Sequence, residues 1–267
     1  MSHLSQAPMH NRQLRRFTKA IRNLPNLLQG YNLFVNRDKL RLIDHTFNSI
    51  YPHAKSFSDL GGVWRVNGAY SVHTLRHHRV ERGILIDTDI SQELENRLKQ
   101  YPQLDVIRGD FASQQTADAV GGVDVVYFFD VLLHQAHPHW DEVLAIYTKV
   151  SPCIVIYNQQ FTRGEEAIRL TDLPLSEYVE LVPDSRLDVY KYIFDHKSEM
   201  HPTYGKLWGD IHNIFQWGIT DRALRTTMKY LGYEEAYYAN HGRFSELSAF
   251  ENHAFVFVRA GLKGVQV

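Results

Sequence analysis

Two short segments hold the residue types best suited to binding a charged, hydroxyl-bearing ligand. Asp59-Leu60-Gly61-Gly62 ends an apolar run that begins at Ser56, and Leu85-Ile86-Asp87-Thr88-Asp89 ends the next one. Glycine lacks a Cβ, so the chain can turn tightly after Leu60 and let a ligand approach the backbone. Carboxylates at the tip of the following strand can accept hydrogen bonds from a pair of ribose hydroxyls. A strand, a glycine turn, a helix and an acid-tipped strand make a nucleotide half-site, which predicts an adenosine-containing cofactor.

These groups need an alternating scaffold to position them. Strands are expected at 56–60, 83–87, 104–108, 123–129 and 153–159, with helices between them. One helix runs from Ser91, its N-cap, to Tyr101; another begins at Pro138 and runs to Val150. Alternation of this kind implies parallel pairing through right-handed crossovers. Region 162–218 has prolines, histidines and aromatics without a clear strand. Thr220 then caps a helix through Leu231, Gly232 ends it, and strands at 233–239 and 253–259 follow. Upstream, two helices are expected at about 11–28 and 36–51, so residues 1–52 read as an N-terminal helical segment. Both a lid and a homodimer contact suit its amphipathic pattern. Residues 53–267 read as the main domain.

Composition narrows the class. The 267 residues are 44% hydrophobic, enough for a full core. The single cysteine, Cys153, lies in an apolar run and reads as a buried strand residue. It leaves no disulfide within the chain, which suits a reducing compartment and a cytoplasmic location. No apolar run reaches the ~18–20 residues of a membrane-spanning helix. No acid precedes Asp38, whereas Arg12, Arg15, Arg16, Lys19, Arg22 and Arg37 do. With those six set aside, 23 of the 29 basic residues face 30 acidic ones, a balance of about −7. A helix lying across the domain accounts for the basic segment; nucleic-acid binding and an organelle transit signal are the alternatives.

The order of seven strands, with a late helix before the final pair, resembles the class I S-adenosylmethionine-dependent methyltransferases from about Ser56 to Ala260. Asp59-Leu60-Gly61-Gly62 looks like that family's glycine-rich first motif, and Asp89-Ile90-Ser91 like the acidic end of its second strand. Gly109-Asp110-Phe111 is similar to its third motif, whose acid faces the adenine amino group. Val123-Asp124-Val125-Val126 with Asp130-Val131-Leu132-Leu133-His134 resembles the fourth strand and the segment leaving it. The resemblance implies a three-layer Rossmann-like α/β fold. Its seven-stranded sheet is mostly parallel with the last strand antiparallel, N-terminal helices precede it, and an insertion follows the fifth strand. S-adenosylmethionine is the implied cofactor and S-adenosylhomocysteine the product. Cofactor contacts are expected from Asp59, Gly61, Gly62, Asp87, Asp89, Asp110, Phe111 and Asp130, with Asp89 preferred to Asp87 for the ribose. The family's second and third glycine positions hold Val63 and Arg65 here. Either Gly62 and Gly68 supply the missing freedom in a remodelled loop, or Arg65 reaches the cofactor's carboxylate.

Methyl transfer is an in-line substitution on a donor already activated by its positive sulfur. The protein must align the reactants and exclude water. A base is needed only where the acceptor loses a proton. In open α/β sheets ligands sit beyond the carboxyl ends of the strands, which favours Asp130, His134, Tyr157, Asn158 and Gln159. His134 is the first expected base, with His201 and His212 as alternatives. Trp208 and Trp217 join Tyr157 and Asn158 as substrate contacts, because aromatics at 162–218 could line a pocket for a flat or apolar molecule. His134, His137 and His139 lack the cysteine or acidic partner of a metal site, and His73, His77 and His78 read as a polar helix face. No metal is expected. The expected activity is methyl transfer to a small-molecule acceptor. A regulatory adenosyl-binding protein on the same fold is the alternative, with an RNA methyltransferase or an NAD-dependent oxidoreductase behind it.

Overall fold

Strand β1, Ser56–Leu60, is buried on both faces from its second residue onward, and it has a parallel neighbour on each side in the sheet. The computed structural model describes residues 34–183, 186–212, 214–243 and 247–261. The expected helix at 11–28 lies outside them. Around β1 come β2 (Arg82–Asp87), β3 (Leu104–Arg108), β4 (Val125–Phe129) and β5 (Cys153–Phe161). All of these pair in parallel. Every residue of β4 and β5 is buried, which is why β4 and the first part of β5, Cys153 to Tyr157, read as continuous apolar runs rather than alternating ones.

The insertion adds a two-residue ribbon, β6 (Ile168–Arg169) with β7 (Trp217–Gly218). The chain then forms β8 (Tyr233–Arg243) and β9 (Phe250–Arg259). The sheet order is β3-β2-β1-β4-β5-β9-β8, and only β9 runs antiparallel. Seven strands, mostly parallel with the last one reversed, are what the sequence predicts.

Eight helices flank these strands among the described residues. They are α1 (Arg37–His45), α2 (Ala69–His77), α3 (Gln92–Leu98), α4 (Gln114–Val120), α5 (Trp140–Tyr147), α6 (Leu175–Leu181), α7 (Leu187–His196) and α8 (Asp221–Tyr230). Helices α1 to α3 cover one face through Leu42, Ile43, Tyr70, Leu94 and Leu98. Helices α4, α5 and α8 cover the other through Ala117, Val120, Trp140, Leu144, Leu224 and Met228. The insertion has its own core, in which Tyr178, Leu181, Tyr190 and Ile193 meet Phe161 and Phe250. No described helix is long and apolar enough to cross a membrane. Cys153 is buried in β5, and burial pushes its thiol well above the usual range.

Several expected bounds shift. Ser91 and Thr220 cap as anticipated, accepting the backbone N–H of Leu94 and Ala223. Helix α5 starts at Trp140 instead of Pro138, because Glu142 Oε2 accepts the His139 backbone N–H at 2.7 Å and fixes the first turn there. The expected helix at 36–51 is α1 followed by a π-helical turn, Thr46–Ile50. Leu42, Ile43 and Phe47 belong to the same core as β1 and β4, so this part of the N-terminal segment is built into the domain.

Candidate functional site

The site is assembled at the carboxyl ends of β1 to β5. Gly61 has φ +68, and its N–H donates to Ile86 O at 2.8 Å. A Cβ on Gly62 would lie 2.5 Å from Asp59 Oδ2, so the glycine leaves room for the carboxylate beneath it. The loop closes through Gly68 N–H to Gly62 O at 2.9 Å, and Arg65 and Asn67 adopt positive φ values of 58° and 50°. Gly68 also takes a positive φ, +72°, whereas Gly62 contributes the space above Asp59. Arg65, where the resemblance places a glycine, takes the left-handed conformation itself. Its guanidinium stacks on Trp64 and Phe34, 4.5 and 5.2 Å from the ring centroids.

Asp59 is fully buried. Its Oδ2 accepts the Ser71 hydroxyl at 2.7 Å, and its Oδ1 has no hydrogen-bond partner among the described residues. Burial, with Asp87 nearby, pushes its pKa up to about 6, against the lowering effects of Ser71 and Lys39. Asp87 closes β2 and is tied to the glycine loop. Its Oδ2 accepts the Val63 N–H at 3.0 Å and its Oδ1 the Asp89 N–H at 3.1 Å. Asp89 is exposed in the turn beyond. Asp87 thus stands against the glycine loop, whereas Asp89 lies one step farther out. After β3, Asp110 Oδ1 accepts the Ala112 N–H at 3.0 Å. A Cβ on Gly61 would lie 3.5 Å from the Phe111 ring, so these two expected cofactor residues are neighbours.

Asp130 ends β4 with φ +57, and its N–H donates to Tyr157 O at 2.8 Å. Its Oδ1 accepts Gln159 Nε2 at 2.8 Å, and its Oδ2 forms an ion pair with Lys39. Lys39 was not anticipated. It is carried by α1, lies buried among the rings of Tyr70, Phe129 and Tyr157, and stays cationic. Burial alone would lower its pKa, but Asp130, Tyr70 and Asp59 together raise it. Asn36, the α1 N-cap, donates Nδ2–H to the Tyr157 hydroxyl at 3.1 Å. Tyr157 thus faces α1.

The insertion is fastened to the segment after β4. His134 Nδ1 donates to Ile214 O at 2.7 Å, and burial lowers its pKa. The His134 carbonyl is 3.3 Å from His212 Nδ1, and His212 Nε2 is 2.7 Å from Lys206 Nζ. With Lys206 donating to Nε2, His212 is a neutral imidazole; burial first and Lys206 second depress its pKa. Lys206 Nζ also stands 3.7 Å from Asp110. Trp217 Nε1 donates to Gln135 O at 2.8 Å.

Of the expected site residues, His134 and His212 are thus brought together, with Trp217 on the same segment. His201 and Trp208 pack on each other with ring centroids 4.1 Å apart, and His201 Nδ1 accepts the N–H groups of Thr203 and Tyr204 in an exposed turn. Asn158 and Gln160 are buried on one face of β5, with Asn158 Oδ1 and both Gln160 amide atoms lacking partners among the described residues. Gln135 Oε1 is in the same state. Gln135 and Gln160 were missed because single amides, one in the turn after β4 and one near the end of β5, carry no motif. A groove of about 450 Å³ lies on the far side of β5 from Asp59, lined by Thr162, Glu165, Asp221, Arg225 and His253 among others.

No protein-family model matches the sequence, and no curated protein matches it. Solved structures do match. The N-terminal domain of EvdMO1, with S-adenosylhomocysteine bound, superposes with a TM-score of 0.53 at 13% identity, covering 84% of this chain and 82% of that one. The Burkholderia thailandensis 1,6-didemethyltoxoflavin-N1-methyltransferase, with 1,6-didemethyltoxoflavin and S-adenosylhomocysteine bound, gives 0.52 at 10% identity, over 97% and 93% of the two chains. Magnesium protoporphyrin IX methyltransferase from Synechocystis PCC 6803, with S-adenosylhomocysteine bound, gives 0.51 at 12% identity over 84% and 83%. The chain spans 56% of a longer match, an O-methyltransferase family protein from Burkholderia thailandensis.

Proposed function

From its class I methyltransferase fold, we propose that this chain binds S-adenosylmethionine and directs methyl transfer to a small-molecule acceptor. The observation that carries the reading is the set of acids along one sheet edge: Asp59 under the glycine turn, Asp87 at the end of β2 and Asp110 after β3. This donor set fits the ligand. Asp87 offers carboxylate oxygens to ribose hydroxyls, and Asp110 offers one to an amino group. The unpartnered Oδ1 of Asp59 favours a cation above the turn. When bound, the cofactor supplies an activated methyl group. The chain's part is to orient the acceptor, exclude water and, for an acidic acceptor, hold a proton.

Neutral His134 and His212 are the bases this site offers, with His212 Nε2 available once Lys206 moves aside. The unpartnered amides of Asn158, Gln160 and Gln135 suit an acceptor with polar groups, and Trp217 lies on the adjoining segment. Two of the matching structures are named for small-molecule acceptors, which supports the same class here.

A second reading is adenosyl binding without transfer. It is favoured by the two lysines, Lys39 and Lys206, that already stand beside Asp130 and Asp110. Calorimetric titration with S-adenosylmethionine, S-adenosylhomocysteine and an NAD control tests both. Micromolar binding of the two adenosyl ligands alone, followed by turnover in an acceptor screen, supports methyl transfer. Binding without turnover on any acceptor supports the second reading, and no adenosyl binding removes both.

A further inference from the structure

Away from this edge, three side chains converge between α1 and α2. Asp44 Oδ1 lies 2.7 Å from His73 Nε2 and 2.9 Å from His78 Nε2. One ligating atom from each of the three lies within 4.8 Å of the others. His73 and His78 were expected on a polar helix face with His77. Instead His78 is the residue that ends α2, in extended conformation, and its ring turns back toward Asp44 while His77 stays exposed.

Two imidazole nitrogens around one carboxylate oxygen form a three-donor set that suits a borderline divalent cation. Zn²⁺ takes imidazole nitrogen and carboxylate oxygen at ~2.0–2.2 Å, so tetrahedral ligands stand roughly 3.3 Å apart. Here Asp44 Oδ1 would have to draw back from each ring nitrogen by about half an ångström, within reach of a small side-chain rotation, while the two nitrogens lie within 4.8 Å of each other. The rings are already oriented. His78 stacks on Phe47 at 5.0 Å and 22°, and His73 on His77 at 4.3 Å and 26°. The histidine side chains are 15% and 6% exposed, whereas that of Asp44 is 39% exposed, which leaves a solvent-facing position for a water ligand.

We propose that Asp44, His73 and His78 form a Zn²⁺ site, completed by water, that fastens α1 to α2. Because α1 also carries Lys39, the ion would secure the helix that delivers the buried ammonium to Asp130. The site is independent of the methyltransferase reading, and so is its test.

Chelator-stripped full-length protein is titrated with ZnCl₂ by calorimetry, and its melting temperature is followed at rising Zn²⁺. We expect one ion per chain and a melting temperature that climbs with Zn²⁺ by mass action. Asp44→Asn and His73→Gln should each weaken binding roughly tenfold or more. The double variant His137→Gln/His139→Gln should leave it unchanged. Asp44→Asn keeps a hydrogen-bond acceptor for both rings, so its fold is retained. Co²⁺ substitution of the wild type gives a second readout, the visible absorption of a tetrahedral nitrogen and oxygen site. Wild-type binding weaker than about 100 μM would overturn the proposal. So would binding that survives both ligand variants, or binding that disappears in the His137/His139 variant.

Discussion

Lys39, on the helix that precedes the sheet, makes an ion pair with Asp130 at the end of its fourth strand. The lysine is buried, whereas the aspartate keeps about a third of its surface, with side-chain exposures of 7% and 34%. The pair links the N-terminal segment directly to the edge where the ligand is proposed to bind. It also brings a cation within influence of Asp59.

Lys39→Met should therefore destabilise the protein. Breaking a fully buried pair costs about 3–5 kcal/mol; with Asp130 partly in water the expected loss is about 1–3 kcal/mol. Urea denaturation of the two proteins measures it. A loss under about 0.5 kcal/mol, no more than a neutral surface change, would show that the pair does not hold α1 in place.

Gly62→Ala should abolish adenosyl binding and lower stability, because the new Cβ would meet the Asp59 carboxylate at 2.5 Å. The carboxylate is buried and hydrogen-bonded to Ser71, so it cannot swing aside freely. Gly122→Ala is the control: its Cβ would meet nothing within 4 Å. Equal binding and melting temperatures for the two variants would sink this account of the turn.

Asp59 makes stability depend on pH. Its folded pKa of about 6 stands above the ordinary 3.8, so the native state holds the proton more tightly than the unfolded chain. The favourable contribution is complete below about pH 4, declines as pH rises to about 6, and is gone above that. At 1.36 kcal/mol per pKa unit the change is on the order of 2–3 kcal/mol. Asp59→Asn should flatten that slope in chemical denaturation across pH 4 to 6. A cationic ligand above Asp59 would lower its pKa, so adenosyl binding should release protons between about pH 5 and 7. Titrations in buffers of different ionisation enthalpy report that release directly.

Asp87→Ala should weaken S-adenosylhomocysteine binding more than Asp89→Ala. Hydrogen bonds to a charged group contribute about 1.5–3 kcal/mol, or roughly ten- to hundredfold in affinity. Asp87 also holds the Val63 N–H, so its loss loosens the turn as well. A larger effect from Asp89 would restore the assignment suggested by the Asp89-Ile90-Ser91 resemblance.

Lys206→Met should raise the His212 pKa, because the ammonium 2.7 Å from Nε2 disfavours the imidazolium. Burial remains, so the value should stay below that of a free histidine. NMR titration of the imidazole resonances follows it, and an unchanged pKa would mean that burial alone sets it.

The sheet was legible from sequence because strands buried on both faces are mostly apolar, as β4 and the Cys153 to Tyr157 part of β5 are. The acids were legible because they fall where those runs stop. The choice between Asp87 and Asp89 was not, since two acids two residues apart both fit a strand end judged by eye. Lys39 was hidden for another reason: its partner lies 91 residues away. Asp44 is likewise separated from His73 and His78, by 29 and 34 residues. Such pairs exist only once α1 is packed. Helices α6 and α7 were missed because both lie within the stretch at 162–218, where prolines, histidines and aromatics obscure a helical period.

The ribbon of Ile168–Arg169 with Trp217–Gly218 puts the entrance and exit of the intervening segment side by side. The closure entropy of a length of chain leaving and returning at one spot grows only with the logarithm of its length. Residues between those two points can be lengthened, shortened or exchanged with little change in how the seven strands pair. The fold thereby separates two kinds of heritable change. Alterations at the sheet's edge would threaten the common ligand, whereas alterations inside the clasp could redirect the choice of acceptor.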